Sequence, residues 1–169
     1  AERMTQELRD SKDALEAAGG SPVVGFRSPN FDMNAGVVPR LAQLGYRYDA
    51  SAYPTPMLIP ARAVLALKSA DPASVLAMSP WPFTWRREPH DWTAGGATIR
   101  EFPLAVTPGL RMPVYHTLRY FSDDASFARQ LDGFARRGDT LSYALHGVDV
   151  LGAAEDEVDA RLGKHPGMD

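Results

Sequence analysis

The feature that most constrains this fold is a unit that occurs three times: an amphipathic helix ends at a glycine, and a short apolar strand follows. Three apolar stripes at helical spacing define the helices: Met4, Leu8, Leu15 and Ala18; Val37, Leu41 and Leu44, after a cap at Asn34; and Phe127, Leu131 and Phe134. The helices are predicted to end at Gly19, Gly45 and Gly138, with strands at residues 23–26, 46–49 and 141–145. Helices that alternate with short strands indicate an α/β fold with a parallel sheet.

Composition narrows the classes of function. Of the 169 residues, 44% are hydrophobic and 23% are charged, which allows one globular domain with a sizeable core. The net charge is −3 and no Lys/Arg-rich run occurs, so binding of nucleic acid or of an anionic lipid surface is not expected. The chain has no cysteine, which excludes disulfides and thiolate metal ligands.

Residues 50–113, roughly, form a less regular stretch that is rich in Pro and Trp, with one strand predicted at residues 98–104. Long irregular segments that are rich in aromatic residues often cover a site or a groove. The other interpretation is a surface excursion packed by its own tryptophans, which are Trp81, Trp85 and Trp92.

Three polar residues stand where predicted strands end, namely Arg27, Asp49 and His146. In parallel α/β folds the loops at the carboxyl ends of the strands converge, and catalytic groups gather there. A carboxylate can orient an imidazole for proton transfer, and a guanidinium can hold a second carboxylate through two bonds, so the set suits acid–base hydrolysis. Each residue also has an ordinary interpretation: Arg27 as a member of a surface ion pair, Asp49 as a turn residue, and His146 as a structural histidine.

Three motifs, in the same order, resemble those of the polysaccharide deacetylases, carbohydrate esterase family 4. Gly-Phe-Arg-Ser-Pro-Asn-Phe at residues 25–31 resembles the family's Arg-x-Pro-aromatic motif. Leu-Gly-Tyr-Arg-Tyr-Asp-Ala-Ser at 44–51 is similar to its Leu-Gly-Tyr and Tyr-Asp-Ser-Ser segment, and Ser-Tyr-Ala-Leu-His at 142–146 to its Leu-His motif. Residues 145–168 look more like the bacterial branch that acts on exported or lipid-linked sugars than like chitin deacetylases.

The resemblance implies part of a distorted (β/α) barrel with parallel strands that removes an N-acetyl or N-formyl group from an amino sugar of a glycan or glycolipid. It also implies a divalent metal, most commonly zinc, which polarises the amide and activates a water. On matching positions, His146 is the general acid, Asp49 the carboxylate that orients it, and Arg27 the tether of the base aspartate. Pro29 and Asn30 are expected to bind substrate, Asn30 replacing a tyrosine whose backbone N–H helps to hold the oxyanion.

Two of the family's motifs are absent from this sequence. They are a Thr-Phe-Asp-Asp-Gly-like run with the base and one metal ligand, and a His-x-x-x-His-like run with the other two ligands. Residues 1–169 are therefore expected to be the C-terminal part of a single catalytic domain, whose missing N-terminal segment supplies the other strands and the metal ligands. The chain alone is expected to be inactive.

Two alternatives stay open at this point. One is a non-catalytic carbohydrate-binding relative that has lost the metal site. The other is an unrelated α/β domain with chance motifs, which predicts that Arg27, Asp49 and His146 point to different faces.

The remaining polar residues give weaker indications. Tyr115, His116 and Arg119 are predicted to line the substrate groove, or else to pack at a strand edge. The histidines at positions 90, 116 and 165 match no compact metal-ligand spacing, so no second metal site is predicted.

Overall fold

A computed structural model of the protein describes residues 2–31, 33–76, 86–146 and 149. In chain order its helices and strands are α1 (Glu2–Gly19), β1 (Gly25–Phe26), α2 (Val38–Gln43), β2 (Tyr48–Asp49), α3 (Leu58–Lys68), α4 (Pro72–Leu76), β3 (His90–Ala94), β4 (Ala97–Glu101), α5 (His116–Arg119) and α6 (Asp124–Arg137). None of the helices within these ranges is long and apolar enough to cross a membrane.

The strands form one mixed sheet in the order β1-β2-β4-β3. β1 pairs with β2 and β2 pairs with β4, both in parallel, whereas β3 pairs antiparallel with β4. Helices connect the parallel strands, as parallel pairing requires. The predicted α/β class with parallel strands is therefore confirmed, and β3 adds an antiparallel edge.

The stretch predicted to be less regular contains its predicted strand, which is β4, but its described part also contains further regular structure that was not predicted. α3 and α4 lie in it, and β3 and β4 form a hairpin closed by Gly95 and Gly96. Both glycines have positive φ, 56° and 77°, which a two-residue hairpin turn requires. A Gly-Gly pair between two alternating runs is a hairpin signal that the sequence did contain.

The tryptophans do not test the idea of a self-packed excursion. Trp92 lies on β3 and packs against the core cluster that contains Leu41 and Ile99. Trp81 and Trp85 lie outside the described residues. Trp92 therefore belongs to the main core of the sheet.

The first helix ends at Gly19 as predicted, but its predicted apolar stripe is wrong. Leu8 is buried, whereas Met4 and Leu15 are 39% and 56% exposed. Polar contacts hold the helix instead: Lys12 Nζ donates to the Val23 carbonyl (2.6 Å), and Glu16 accepts from the Val23 amide (2.8 Å). The buried face therefore runs through Leu8, Lys12 and Glu16, and the sequence pattern missed it because two of these residues are charged.

The second helix begins later than its predicted cap. Its N-cap is Val37, without a side-chain cap bond, and Pro39 stands in the first turn. Asn34 Oδ1 accepts a hydrogen bond from the Gly36 amide (2.9 Å), so Asn34 forms the turn before the helix. Gly45 follows with φ of +80°, as the predicted stop requires.

The predicted strand at residues 141–145 is not formed. The Ser142 carbonyl accepts from the Ala105 amide (3.0 Å), and the Ala144 carbonyl accepts from the His116 amide (3.1 Å). These donors belong to two different segments, so the bonds make no continuous ladder. The segment nevertheless lies against the residues that follow β4, and this fixes the position of His146.

Two glycines of α6 should respond in opposite ways to alanine substitution. Gly138 ends the helix with φ of +66°, where a side chain is strained, so Gly138→Ala should lower the free energy of unfolding by about 1 kcal/mol. Gly133 lies inside the helix, where an added Cβ would meet only the end of the Arg137 side chain. Gly133→Ala should therefore raise the free energy of unfolding by about 0.5–1 kcal/mol. Urea unfolding of both variants measures the difference, and equal effects would contradict the left-handed cap.

Candidate functional site

Arg27, Asp49 and Glu101 meet at one edge of the sheet. Arg27 follows the last residue of β1, Asp49 ends β2, and Glu101 ends β4. These strands are parallel, and Asp49 is the register partner of both Phe26 and Glu101. Their carboxyl ends therefore lie side by side, as predicted for Arg27 and Asp49, while Glu101 was not predicted.

A chain of short hydrogen bonds joins the loop after β1 to the end of β2. Arg27 Nε donates to the Ala50 carbonyl (2.9 Å), and the Ser28 amide donates to Ser51 Oγ (2.7 Å). Ser51 Oγ in turn donates to Asp49 Oδ1 (2.6 Å). Since Asp49 and Ser51 are fully buried, these bonds hold the Arg27 loop to a rigid part of the core.

Glu101 is a buried acid next to Asp49. Its Oε1 accepts from the Ala52 amide (3.0 Å), but Glu101 Oε2 and Asp49 Oδ2 have no hydrogen-bond donor within the described part of the chain. Burial, followed by the adjacent carboxyl of Asp49 and its negative charge, raises the pKa of Glu101 to about 9, although the Ala52 amide and Arg27 act in the opposite direction. Burial and the adjacent Asp49 therefore favour the protonated form of the Glu101 carboxyl.

Arg27 joins this buried pair to the surface. Burial lowers its pKa, while the nearby acids Asp49 and Glu101 raise it, and a guanidinium keeps its charge in either case. Arg27 as a whole residue is exposed, although its guanidinium is partly buried where it meets the Ala50 carbonyl, and with Ser28 and Pro29 it lines a cavity of about 380 Å3 against α1. Pro29, predicted to bind substrate, thus lies beside Arg27 in an accessible groove.

The loop that carries Asn30 has an unusual backbone. Asn30 is the middle residue of a 3-10 turn at Pro29–Phe31. Phe31 has φ of +56°, a left-handed conformation that bulky residues seldom adopt, and its ring packs on Tyr53 with centroids 4.7 Å apart. Such strain is kept when surrounding structure fixes it, and it concentrates at functional loops.

His146 lies in a second polar cluster. Its Nδ1 is 3.0 Å from Thr117 Oγ1 and 3.4 Å from Asp149 Oδ2, and its backbone amide donates to the same Asp149 oxygen (2.6 Å). The imidazole is 57% exposed, whereas the Asp149 side chain is fully buried. The structure thus gives His146 a carboxylate partner, Asp149, that sequence reasoning missed although it stands only three residues away.

Asp149 is ionised in this cluster. Burial acts to raise its pKa, but the His146 amide, the imidazoles of His116 and His146, and the Tyr120 hydroxyl outweigh burial and lower the pKa below its usual value. Tyr120 donates to Asp149 Oδ1 at 3.3 Å. An ionised carboxylate can hold the Nδ1–H of the His146 ring in one orientation. The predicted pairing of Asp49 with His146 stays a prediction.

The three residues predicted to line the groove lie at α5, next to His146. His116 Nδ1 is 3.1 Å from the Tyr143 hydroxyl, and its ring packs edge-on against Tyr120 (5.3 Å). Arg119 forms an ion pair with Asp124. Tyr115 caps α5 and packs at right angles on Tyr53, with centroids 6.1 Å apart.

The Tyr53–Tyr115 contact connects the two clusters. Tyr53 is buried and lies two residues after Ser51, and Tyr115 precedes His116. Burial and the neighbouring Tyr115 raise the pKa of Tyr53, so the Tyr53 phenol stays neutral in this contact. The groups around Arg27 and those around His146 are therefore parts of one packed structure.

The described residues do not form a metal centre. No group of three His, Cys, Asp or Glu side chains converges in ranges 2–31, 33–76 and 86–146 with residue 149. His165 lies outside those ranges, while His90 Nδ1 contacts the Glu88 carbonyl at 2.9 Å. The divalent metal that the motifs imply stays a prediction.

Comparisons of this chain with protein-family models, with curated proteins and with solved structures give no match. The function is accordingly inferred from the motifs and from the geometry of the two clusters.

Proposed function

We propose that this chain supplies the general-acid half of a polysaccharide deacetylase site, built on part of a distorted (β/α) barrel. The reaction is hydrolysis of an N-acetyl or N-formyl group from an amino sugar in a glycan or glycolipid. The supporting observation is the exposed His146 imidazole, whose Nδ1 faces Thr117 and the buried Asp149 carboxylate. This arrangement suits proton delivery to a departing amine.

His146 donates the proton from Nε2 in this proposal. Asp149 and Thr117 contact Nδ1, and the proposal therefore assigns proton donation to the other ring nitrogen. An amine is too basic to leave an amide without accepting a proton, so a positioned acid accelerates the breakdown of the tetrahedral intermediate. Asp149 orients the His146 ring in this proposal, and the orienting role that the motifs imply for Asp49 stays a prediction.

Arg27 positions a carboxylate in the same proposal. Its Nε is fixed by the Ala50 carbonyl, and the rest of the guanidinium can hold the base aspartate through parallel bonds. Asp49 supports this loop through Ser51, since it accepts the hydroxyl that the Ser28 amide binds. Pro29 and Asn30 contribute the loop backbone next to the reacting amide.

The proposed substrate is a carbohydrate or a lipid-linked sugar, with Tyr115, His116 and Arg119 beside His146 as the sugar-binding side. Aromatic and basic side chains at α5 provide stacking surfaces and hydrogen-bond donors for hydroxyl groups. The proposed cofactor is a divalent metal, with zinc expected, which polarises the amide carbonyl when bound. Its ligands are assigned to residues other than those that the structure describes.

Acyl release by the protein from its complete reading frame tests this proposal. With added Zn2+, the protein should release acetate from tetra-N-acetylchitotetraose or formate from an N-formyl amino sugar, and a chelator should abolish release. Free acid is measured by an enzyme-coupled assay. Binding of the oligosaccharide without acid release would favour a non-catalytic sugar-binding protein, and absence of both would overturn the proposed function.

A further inference from the structure

The proposed mechanism leaves one buried titratable group without a role, the Glu101 carboxyl. It is fully buried at the end of β4, in register with Asp49 at the end of β2. Each carboxyl has one satisfied oxygen: Glu101 Oε1 accepts from the Ala52 amide, and Asp49 Oδ1 accepts from Ser51. Each also has one buried oxygen that no donor within the described residues reaches.

One shared proton would satisfy both of these oxygens. Buried polar atoms are nearly always hydrogen-bonded, and two adjacent carboxyls can meet that requirement only if one of them keeps its proton. Protonation also balances the local charge, because a single carboxylate then faces the single guanidinium of Arg27. Two carboxylates beside one guanidinium would leave a buried negative charge uncompensated.

We propose that Glu101 is a protonated acid that donates from Oε2 to Asp49 Oδ2 and so acts as a positioning residue for the Arg27 loop. The effect of this positioning on turnover rests on the proposed function. The existence of the shared proton does not depend on the proposed function. Asp49 stays aligned with Ser51, Ser51 holds the Ser28 amide, and Arg27 remains on the Ala50 carbonyl.

The charged groups around Glu101 support this assignment. Arg27 approaches from the loop after β1 and Asp49 from β2, and both act on the pKa of Glu101. His90 is the register partner of Glu101 on β3, and its Nδ1 contacts the Glu88 carbonyl. Burial and Asp49 raise the pKa of Glu101 to about 9, which keeps the proton in place across the neutral range.

The proton makes a definite prediction for stability against pH. The pKa of Glu101 is about 9 in the folded chain and 4.5 for a free carboxyl. The stability that the bound proton gives to the folded chain is therefore fully present below about pH 4.5 and is lost as the pH rises toward 9. Over this window the folding equilibrium constant should fall by up to about tenfold per pH unit from this group. Glu101→Gln keeps an N–H donor for Asp49 and an acceptor for Ala52, and it should remove this component of the slope.

Urea unfolding between pH 5.5 and pH 9.5 compares the wild type with Glu101→Gln. Infrared difference spectra at pH 7 provide a second measurement, since the wild type should show the carbonyl stretch of a buried carboxylic acid that the variant lacks. Parallel pH profiles, or no such stretch, would overturn the proposal. Neither measurement depends on enzymatic activity, so failure of the proposed function would be distinguishable.

The positioning role is tested with a second variant, Glu101→Leu, which offers Asp49 no donor. Acyl release should fall at least about tenfold in Glu101→Leu and be rescued in Glu101→Gln, because one well-placed hydrogen bond carries about that factor. The rate of Glu101→Gln should also persist to higher pH than that of the wild type. Equal losses in both variants, or an unchanged pH profile, would contradict positioning by a donated hydrogen bond.

Discussion

Replacement of His146 by alanine should lower the rate of acyl release at least about a hundredfold, because positioned proton transfer contributes about 10²–10⁴. The loss should appear in kcat, since the proton is needed when the amine leaves and not when the sugar binds. The imidazole is 57% exposed, so its removal should leave the fold intact. Steady-state kinetics together with thermal unfolding of the same samples separates these two effects.

His90→Gln is the matched control for the loss of an imidazole. His90 lies on β3 and contacts the Glu88 carbonyl, outside the groups assigned to the reaction. Its variant should keep the wild-type rate. An unchanged rate in His146→Ala, or an equal loss in His90→Gln, would remove the general-acid assignment.

Asp49→Ala should lower the free energy of unfolding by about 1–3 kcal/mol for each buried donor that it leaves unpaired. Asp49 is fully buried, and it accepts the Ser51 hydroxyl at 2.6 Å. Its loss leaves the Ser51 hydroxyl and Glu101 Oε2 without a partner in the core and opens a cavity. Chemical denaturation at pH 7 measures this change.

Asp91→Ala gives a control of the same residue type in the same sheet. Asp91 pairs with Arg100 at 2.9 Å, but its side chain is 65% exposed. An exposed ion pair contributes less than about 1 kcal/mol, so this variant should be nearly as stable as the wild type. If both alanine variants lost the same stability, Asp49 would not be the anchor of the loop that the hydrogen bonds indicate.

Helices with clear end signals could be predicted from the sequence. The third predicted helix is α6, where Phe134 is buried and Gly138 adopts the left-handed cap. Periodicity succeeded there because an amphipathic helix needs only local information. It failed for the buried face of α1, where Lys12 and Glu16 are held by the backbone of Val23, since such contacts depend on tertiary packing.

The sequence predicted those residues of the candidate site that lie at the carboxyl ends of predicted strands. Arg27 and Asp49 could be placed together because parallel strands end at one edge. Glu101 was missed because an acid in an alternating strand is normally exposed, although its position two residues after the buried Ile99 puts both on one face. Asp149 was missed because its contact with His146 depends on local hydrogen bonds between these two residues, which hydrophobic periodicity does not report.

The most direct measurement compares leaving groups. Wild type and His146→Ala are assayed on an N-acetyl amino sugar and on 4-nitrophenyl acetate, whose nitrophenolate departs without taking a proton. A general acid at His146 predicts a loss of at least about a hundredfold on the amide and little change on the ester, because only the amide needs protonation to break down. Equal losses on both substrates would contradict the central claim that this chain supplies the acid for N-deacylation.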